Sequence, residues 1–153
     1  MPIPEVEWFK EILNKAVDYT MEHDMVTAAA SVIQGAVETE VYAKYSPKRY
    51  VRQRDLGGLL DPHEIDHHYD KQTKTLELKD VRDDAETKEW RWKQTGDPDY
   101  TVADVVENGG PYMSRVRIGP RPFHSVAEKR LIDMGVAEKV LEDGLSVLNG
   151  WSQ

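Results

Sequence analysis

The chain has no cysteine. Disulfides and thiolate metal sites are therefore both excluded. No window approaches the roughly 18 apolar residues that a membrane-spanning helix requires. The first residues, Met1-Pro2-Ile3-Pro4-Glu5, lack the basic and apolar regions of a secretory signal. The expectation is a protein made and used inside a cell, or inside something assembled there. A broadly basic face is missing as well. With 20 Lys and Arg against 28 Asp and Glu, the formal charge is −8, which argues against general affinity for phosphate backbones. Gly57-Gly58 is not followed by the Gly-Lys-Ser/Thr of a phosphate loop, and Ser31, Ser46, Ser114 and Ser125 lack a Gly-x-Ser-x-Gly setting.

Hydrophobic residues make up 39% of the 153 residues and charged residues 31%. That balance predicts one domain, residues 1–153, with a modest core and either a large wetted surface or extended arms. Behind Pro4, residues 5–22 place Val6, Phe9, Ile12, Leu13, Ala16 and Val17 at helical spacing. Residues 25–44 continue with Val26, Ala29, Ala30, Ile33, Ala36, Val37 and Val41. Asp24 is the candidate N-cap between two helices, the alternative being one continuous, bent helix. Pro47 closes this stretch. Around the exit, Tyr42, Tyr45 and Tyr50 lie among a basic cluster of Lys44, Lys48, Arg49, Arg52 and Arg54. Such a cluster in an acidic chain either meets an acidic partner surface or sits in water. The tyrosines either face a partner or cap the edge of the core.

Leu56-Gly57-Gly58-Leu59-Leu60 reads as a turn or bulge. A hairpin follows, with one strand near 64–69, a turn at Asp70-Lys71-Gln72 and a second strand near 74–81. Residues 82–100 are polar and end in a Gly96-Asp97-Pro98 break. They read as an extended loop or arm whose Trp90 and Trp92 either pin it to the body or dock on a neighbour. Asp83-Asp84 shows no partner that would perturb it. The last helix runs from about Pro122 to Leu148. Gly135 and Gly144 each weaken it by about 1 kcal/mol relative to alanine, so a bend or split is expected near Gly135. Residues 149–153, including Trp151, read as a flexible tail. The fold class is α+β: a long N-terminal helix or helix pair, a small antiparallel sheet with a hairpin, and a C-terminal helix packed on the sheet.

The stretch Val102 to Leu131 organises the chain. An apolar segment ends in Glu107, Gly109-Gly110-Pro111 breaks it, and Met113 to Ile118 is a short strand-like run. Gly119-Pro120 breaks the chain again before Arg121-Pro122-Phe123 opens the last helix, with proline in its first turn. The stretch holds no nucleophile with its base; it places one aromatic and one arginine at the mouth of a helix. His124 reads as a surface residue. Val106-Glu107-Asn108-Gly109, Tyr112 and Arg121-Pro122-Phe123, in this order, resemble the tail-completion family, the small head–tail joining proteins of long-tailed bacteriophages.

The resemblance implies a structural virion protein of the neck, with no catalysis and no cofactor. In that family several copies, typically six, form a ring that completes the tail and joins it to the head connector. The implied partners are other copies of the chain, the portal-side connector proteins and the tail tube or tail terminator. DNA passes through the channel without specific binding, and no membrane is involved. The protein would be made in the host cytoplasm and reside in the virion. Arg121, Phe123, Trp90, Trp92, Tyr45, Arg49 and Arg52 are the candidate assembly contacts. The family's pattern does not require the stretch 82–100.

Two other classes compete. His63-Glu64-Ile65-Asp66-His67 matches His-Glu-x-x-His letter for letter. On a helix the two histidines would lie one turn apart and bind zinc, with Glu64 activating the bound water, which would make the chain a zinc-dependent hydrolase. Asp61-Pro62, however, puts His63 in the first turn of any helix, and the residues beyond His67 read as strand. On a strand His63, Ile65 and His67 share one face while Glu64, Asp66 and His68 share the other. A third ligand would have to be Glu86 or Glu89. The strand reading is preferred, with the hydrolase as the alternative and no metal site assigned. The third class is a generic interaction module of the host cell.

Overall fold

The structure is a computed structural model that describes residues 4–44, 58–83, 85–113 and 116–149. Tyr45, Pro47, Lys48, Arg49, Tyr50, Arg52, Arg54, Leu56, Gly57 and Trp151 lie outside the described residues. The architecture is α+β, as the periodicities predict.

From Pro4 to Tyr42 the chain is helical without interruption. Helix α1 (Pro4–Thr20) passes through a wide π-type turn, Met21–Met25, into α2 (Val26–Val37), which ends in a second such turn, Glu38–Tyr42. The continuous alternative therefore holds, and Asp24 is inside the helix, not its N-cap. No glycine or proline interrupts the junction, and the backbone stays right-handed at Thr20 (φ −61°, ψ −41°) and at Met25 (φ −67°, ψ −42°). Helix α2 buries Ala29, Ile33, Ala36 and Val37 on one face. Ile33, Ala36 and Val37 join Val41, Leu59, Ile65, Ala103, Val106, Phe123 and Ala127 in one core.

Strands β1 (Ile65–Asp70) and β2 (Thr75–Asp80) form the expected antiparallel hairpin, with Ile65 opposite Asp80 and Asp70 opposite Thr75. The Asp70 carboxylate shapes the turn by accepting the N–H groups of Gln72 (2.8 Å) and Thr73 (3.3 Å). The tip is tied to α1. There Asp18 accepts from the Tyr69 hydroxyl (2.8 Å) and Lys74 Nζ (2.6 Å), and Lys71 pairs with Glu22 at 2.9 Å. The base is tied to the helix Val102–Asn108, because Ala103 N–H donates to Arg82 O at 3.1 Å and Lys79 pairs with Asp104 at 3.0 Å.

Residues 82–100 are not an extended arm. Helix α3 (Ala85–Thr95) occupies most of the stretch. Its residues are mainly strong helix formers, and Glu89 and Lys93 pair one turn apart at 2.6 Å. The alternation of Trp90 and Trp92, which suggested extended chain, is overridden by the burial of Arg91 between them. Arg91 has no exposed surface, donates through Nε to Tyr100 O at 3.3 Å, and pairs with Asp83. Asp83 thus has a partner after all. Gly96, at φ +74°, ends the helix.

Helix α4 (Val102–Asn108) follows, then β3 (Gly110–Met113) and β4 (Val116–Ile118), an antiparallel ribbon with Gly110 opposite Ile118. The single strand-like run at 113–118 is therefore parts of two strands. Ser114 and Arg115 lie outside the described residues, and in sequence neither is a glycine or asparagine that would divide the run. Helices α5 (Phe123–Asp133) and α6 (Val136–Asn149) are the expected split helix, broken where Gly135 adopts φ +57°. Helix α5 packs on α2, and α6 packs on α1. Gly144 is explained by that second contact: a Cβ there would come within 2.7 Å of Thr20 Cγ2.

Candidate functional site

Thr101 opens α4 with a capping box, accepting Asp104 N–H at 3.2 Å while Asp104 Oδ2 accepts Thr101 N–H at 2.8 Å. This fixes the helix so that Ala103, Val105 and Val106 are buried and Glu107 faces the start of α5. The first N–H groups of any helix lack partners within it, and Pro122, at the N-cap of α5, makes no side-chain cap. Glu107 supplies that cap from another element. Its Oε2 accepts His124 N–H at 2.7 Å, and its Oε1 accepts both Ser125 N–H at 3.1 Å and Ser125 Oγ–H at 2.8 Å. The carboxylate also places negative charge at the positive end of the helix. Arg121 N–H donates to Val106 O at 2.8 Å, and Gly109, at φ +74°, turns the chain out of α4.

The two halves of the motif, Val106-Glu107-Asn108-Gly109 and Arg121-Pro122-Phe123, are thus one clip between α4 and α5. Phe123 sits in the core with 0% exposure. This corrects its expectation as an assembly contact, because an aromatic ring heading an amphipathic helix here turns inward onto Val106 and α2. Arg121 is half-buried beside it. Replacing Glu107 with alanine is expected to cost about 2 kcal/mol in urea unfolding, and with glutamine about 1 kcal/mol, since glutamine keeps an acceptor but loses the charge. An unchanged midpoint in the alanine variant would remove the clip's role in holding α5.

His124 is half-buried and not a surface residue as expected. Its Nε2 accepts Asp80 N–H at 3.0 Å, so the neutral ring carries its proton on Nδ1. Burial lowers its pKa from the ordinary value, against the raising effect of Glu107 and Asp104. Asp80 is itself fully buried. Its Oδ1 accepts Arg82 N–H at 2.9 Å, and Oδ2 has no hydrogen-bond partner among the described residues. Burial pushes its pKa up to about 7; the Arg82 N–H opposes this, while the charges of Glu64 and Asp104 add to it. Beside this junction a groove of about 690 Å³ runs between the hairpin and α2 and α5, with Ile33, Leu78 and Leu131 among the residues that line it.

The other candidates do not converge here. Trp92 stands on α3 with 50% of its surface exposed; Trp90 is on the same helix, its side chain outside those described. Tyr45, Arg49 and Arg52 lie outside the described residues. The His-Glu-x-x-His helix does not form. His63 and Glu64 lie in the single 3-10 turn Pro62–Glu64, and His67 lies on β1. The His63 side chain is 92% exposed and pairs with Asp61, the N-cap of that turn, at 2.9 Å. Proline after aspartate closes a turn, and the hairpin register then takes His67 into the strand. Glu89 is paired with Lys93. Among the described residues no three histidine or acidic side chains gather as a metal set.

Sequence reasoning overlooks Asp80 and Glu107 as site residues. Asp80 looks like any strand-end carboxylate, and nothing local marks its burial. The Thr101-x-x-Asp104 box, by contrast, was readable as a helix start that orients Glu107. No curated protein and no solved structure matches the chain. The family model YomN, a phage-derived name, does match. The match runs over residues 6–147, from the first turn of α1 into the last turn of α6, and the chain therefore belongs to the YomN family.

Proposed function

We propose that this protein is a structural component of the bacteriophage neck, which forms a ring of identical copies that completes the tail and joins it to the head connector. The observation that carries this reading is the set of large apolar side chains left in water on an acidic chain. Val6 and Phe9 lie one turn apart on α1 with Trp8 beside them, Ile132 and Val147 stand on α5 and α6, and Met134 lies in the turn between those two helices. Exposed apolar side chains on opposite ends of the chain suit burial between neighbouring subunits. The phage-derived family name supports the setting, and the clip supports the motif resemblance by giving its residues one structural task. A charge of −8 would let DNA pass through the ring without adhering.

Electron microscopy of particles made with and without the gene tests the proposal. Filled heads beside separate, finished-looking tails are expected in its absence. Intact infectious particles made without it would overturn the assignment.

A further inference from the structure

In a chain of net charge −8, residues 45–57 carry Lys48, Arg49, Arg52 and Arg54 against the single acid Asp55, with Tyr45, Tyr50 and Val51 among them. The described chain stops at Lys44, just past the helical stretch that ends at Tyr42, and resumes at Gly58. The residues between amount to roughly 40 Å of extended chain. The groove between the hairpin and α2 and α5, about 690 Å³ in volume, offers the matching chemistry. Its apolar lining includes Ile33, which is buried, and Leu76, Leu78 and Leu131, which are half-buried. It is also lined by Asp66, Glu77 and Glu128, all exposed and none in an ion pair among the described residues. Lys79 lines it too, but that ammonium is paired with Asp104 at 3.0 Å. Exposed carboxylates beside apolar surface suit a guanidinium whose stem lies along that surface, with a tyrosine ring next to it.

We propose that the basic segment 45–57 of one copy docks in this groove of the next, its arginines meeting Asp66, Glu77 and Glu128 and its tyrosines covering the leucines. The proposal rests on the ring reading and names the surfaces by which neighbouring copies meet. The groove lies against Ala29 and Ile33, whereas the segment begins beyond Lys44. At about 1.5 Å per residue, roughly 20 Å of helix separates the two. Unlike surfaces set apart on one chain make a heterologous contact, the kind that closes a ring when its rotation repeats. The charges on both sides are exposed, so their attraction steers association and weakens as salt rises. The apolar contacts beneath them do not depend on salt in this way.

The test is sedimentation velocity of the full chain and of two charge-reversed variants, Glu77→Lys with Glu128→Lys in the groove and Arg49→Glu with Arg52→Glu in the segment. The two groove carboxylates are exposed, so their replacement leaves the core untouched. Each variant alone is expected to associate roughly tenfold more weakly than the unmodified chain. An equimolar mixture should recover association, because every groove then finds a segment of opposite charge on the other variant. Recovery only when all four changes stand in one chain would mean that the segment occupies its own groove, and would overturn the proposal. Unchanged association in either variant would also overturn it and leave a ring held by other surfaces. A synthetic peptide of residues 44–57, titrated into the isotope-labelled full chain, reads the contact without requiring a ring. Shifts of the Leu76–Lys79 and Glu128–Leu131 amides are expected, smaller at high salt. Such shifts in a chain that sediments as a monomer would support the contact and overturn the ring. No shifts would overturn the contact, whatever the oligomer.

Discussion

Phe123→Ala is expected to cost about 4 kcal/mol of folding free energy, within the range for truncating a fully buried aromatic ring. Phe123 has no exposed surface and shares the core with Val37, Val106 and Ala127. Truncation would remove the ring's transfer free energy and leave a void among α2, α4 and α5. Neighbours could not easily collapse into it, since α5 is held at its first turn by Glu107 and α4 by its own capping box. A domain of this size has a total stability of roughly 5–15 kcal/mol, so the variant should unfold at much lower urea and tend to accumulate in misfolded form. The result also separates two roles for the residue. A core residue gives a monomer of low stability; an assembly contact would give a normally stable monomer that fails to associate. Urea midpoints and sedimentation of the same sample decide between them, and a normal midpoint would contradict the core assignment.

Arg91→Ala is expected to cost about 3 kcal/mol and to release α3 from the body. Among the described residues Arg91 is the largest fully buried side chain, and its guanidinium holds both ends of the 82–100 stretch: Asp83 before the helix and Tyr100 O after it. Without it both acceptors lose a charged donor, and an apolar methyl faces the space. Arg91→Lys should recover little, because an ammonium cannot span two acceptors with the fixed fork of a guanidinium. Amide exchange over residues 85–95 reads the effect directly, with protection there expected to collapse while α2 and the β1–β2 hairpin stay protected. Retained protection of α3 would mean that the helix is held by something other than this arginine.

These two residues mark where local reading stops. The stripe from Val6 to Val41, the alternation around Leu76 and Leu78, and the glycine at 135 were legible because each depends on neighbours within a turn or a strand. A strong local pattern also survives packing: the long helix, the hairpin and the split final helix all occur where periodicity places them. In the stretch 82–100 helical propensity and tryptophan alternation disagree, and the burial of Arg91 against Asp83 and Tyr100, more than a turn away on either side, resolves the conflict. Likewise, Arg121-Pro122-Phe123 was recognisable as a motif, but its letters do not say that the cap of the helix comes from Glu107, 17 residues before His124 and 18 before Ser125.

What the sequence determined alone is therefore the class α+β, the helical and strand periods, the exclusion of disulfides, and an acidic chain with a local basic cluster. Only the tertiary structure decided which charged groups go inside. Burial of Asp80 and Arg91, and the acceptor role of the His124 ring, depend on groups brought together from β2, α3, α4 and α5. Periodicity reports which face of an element is apolar, whereas the fate of a charge depends on whether a partner from elsewhere in the chain meets it in a space that excludes water.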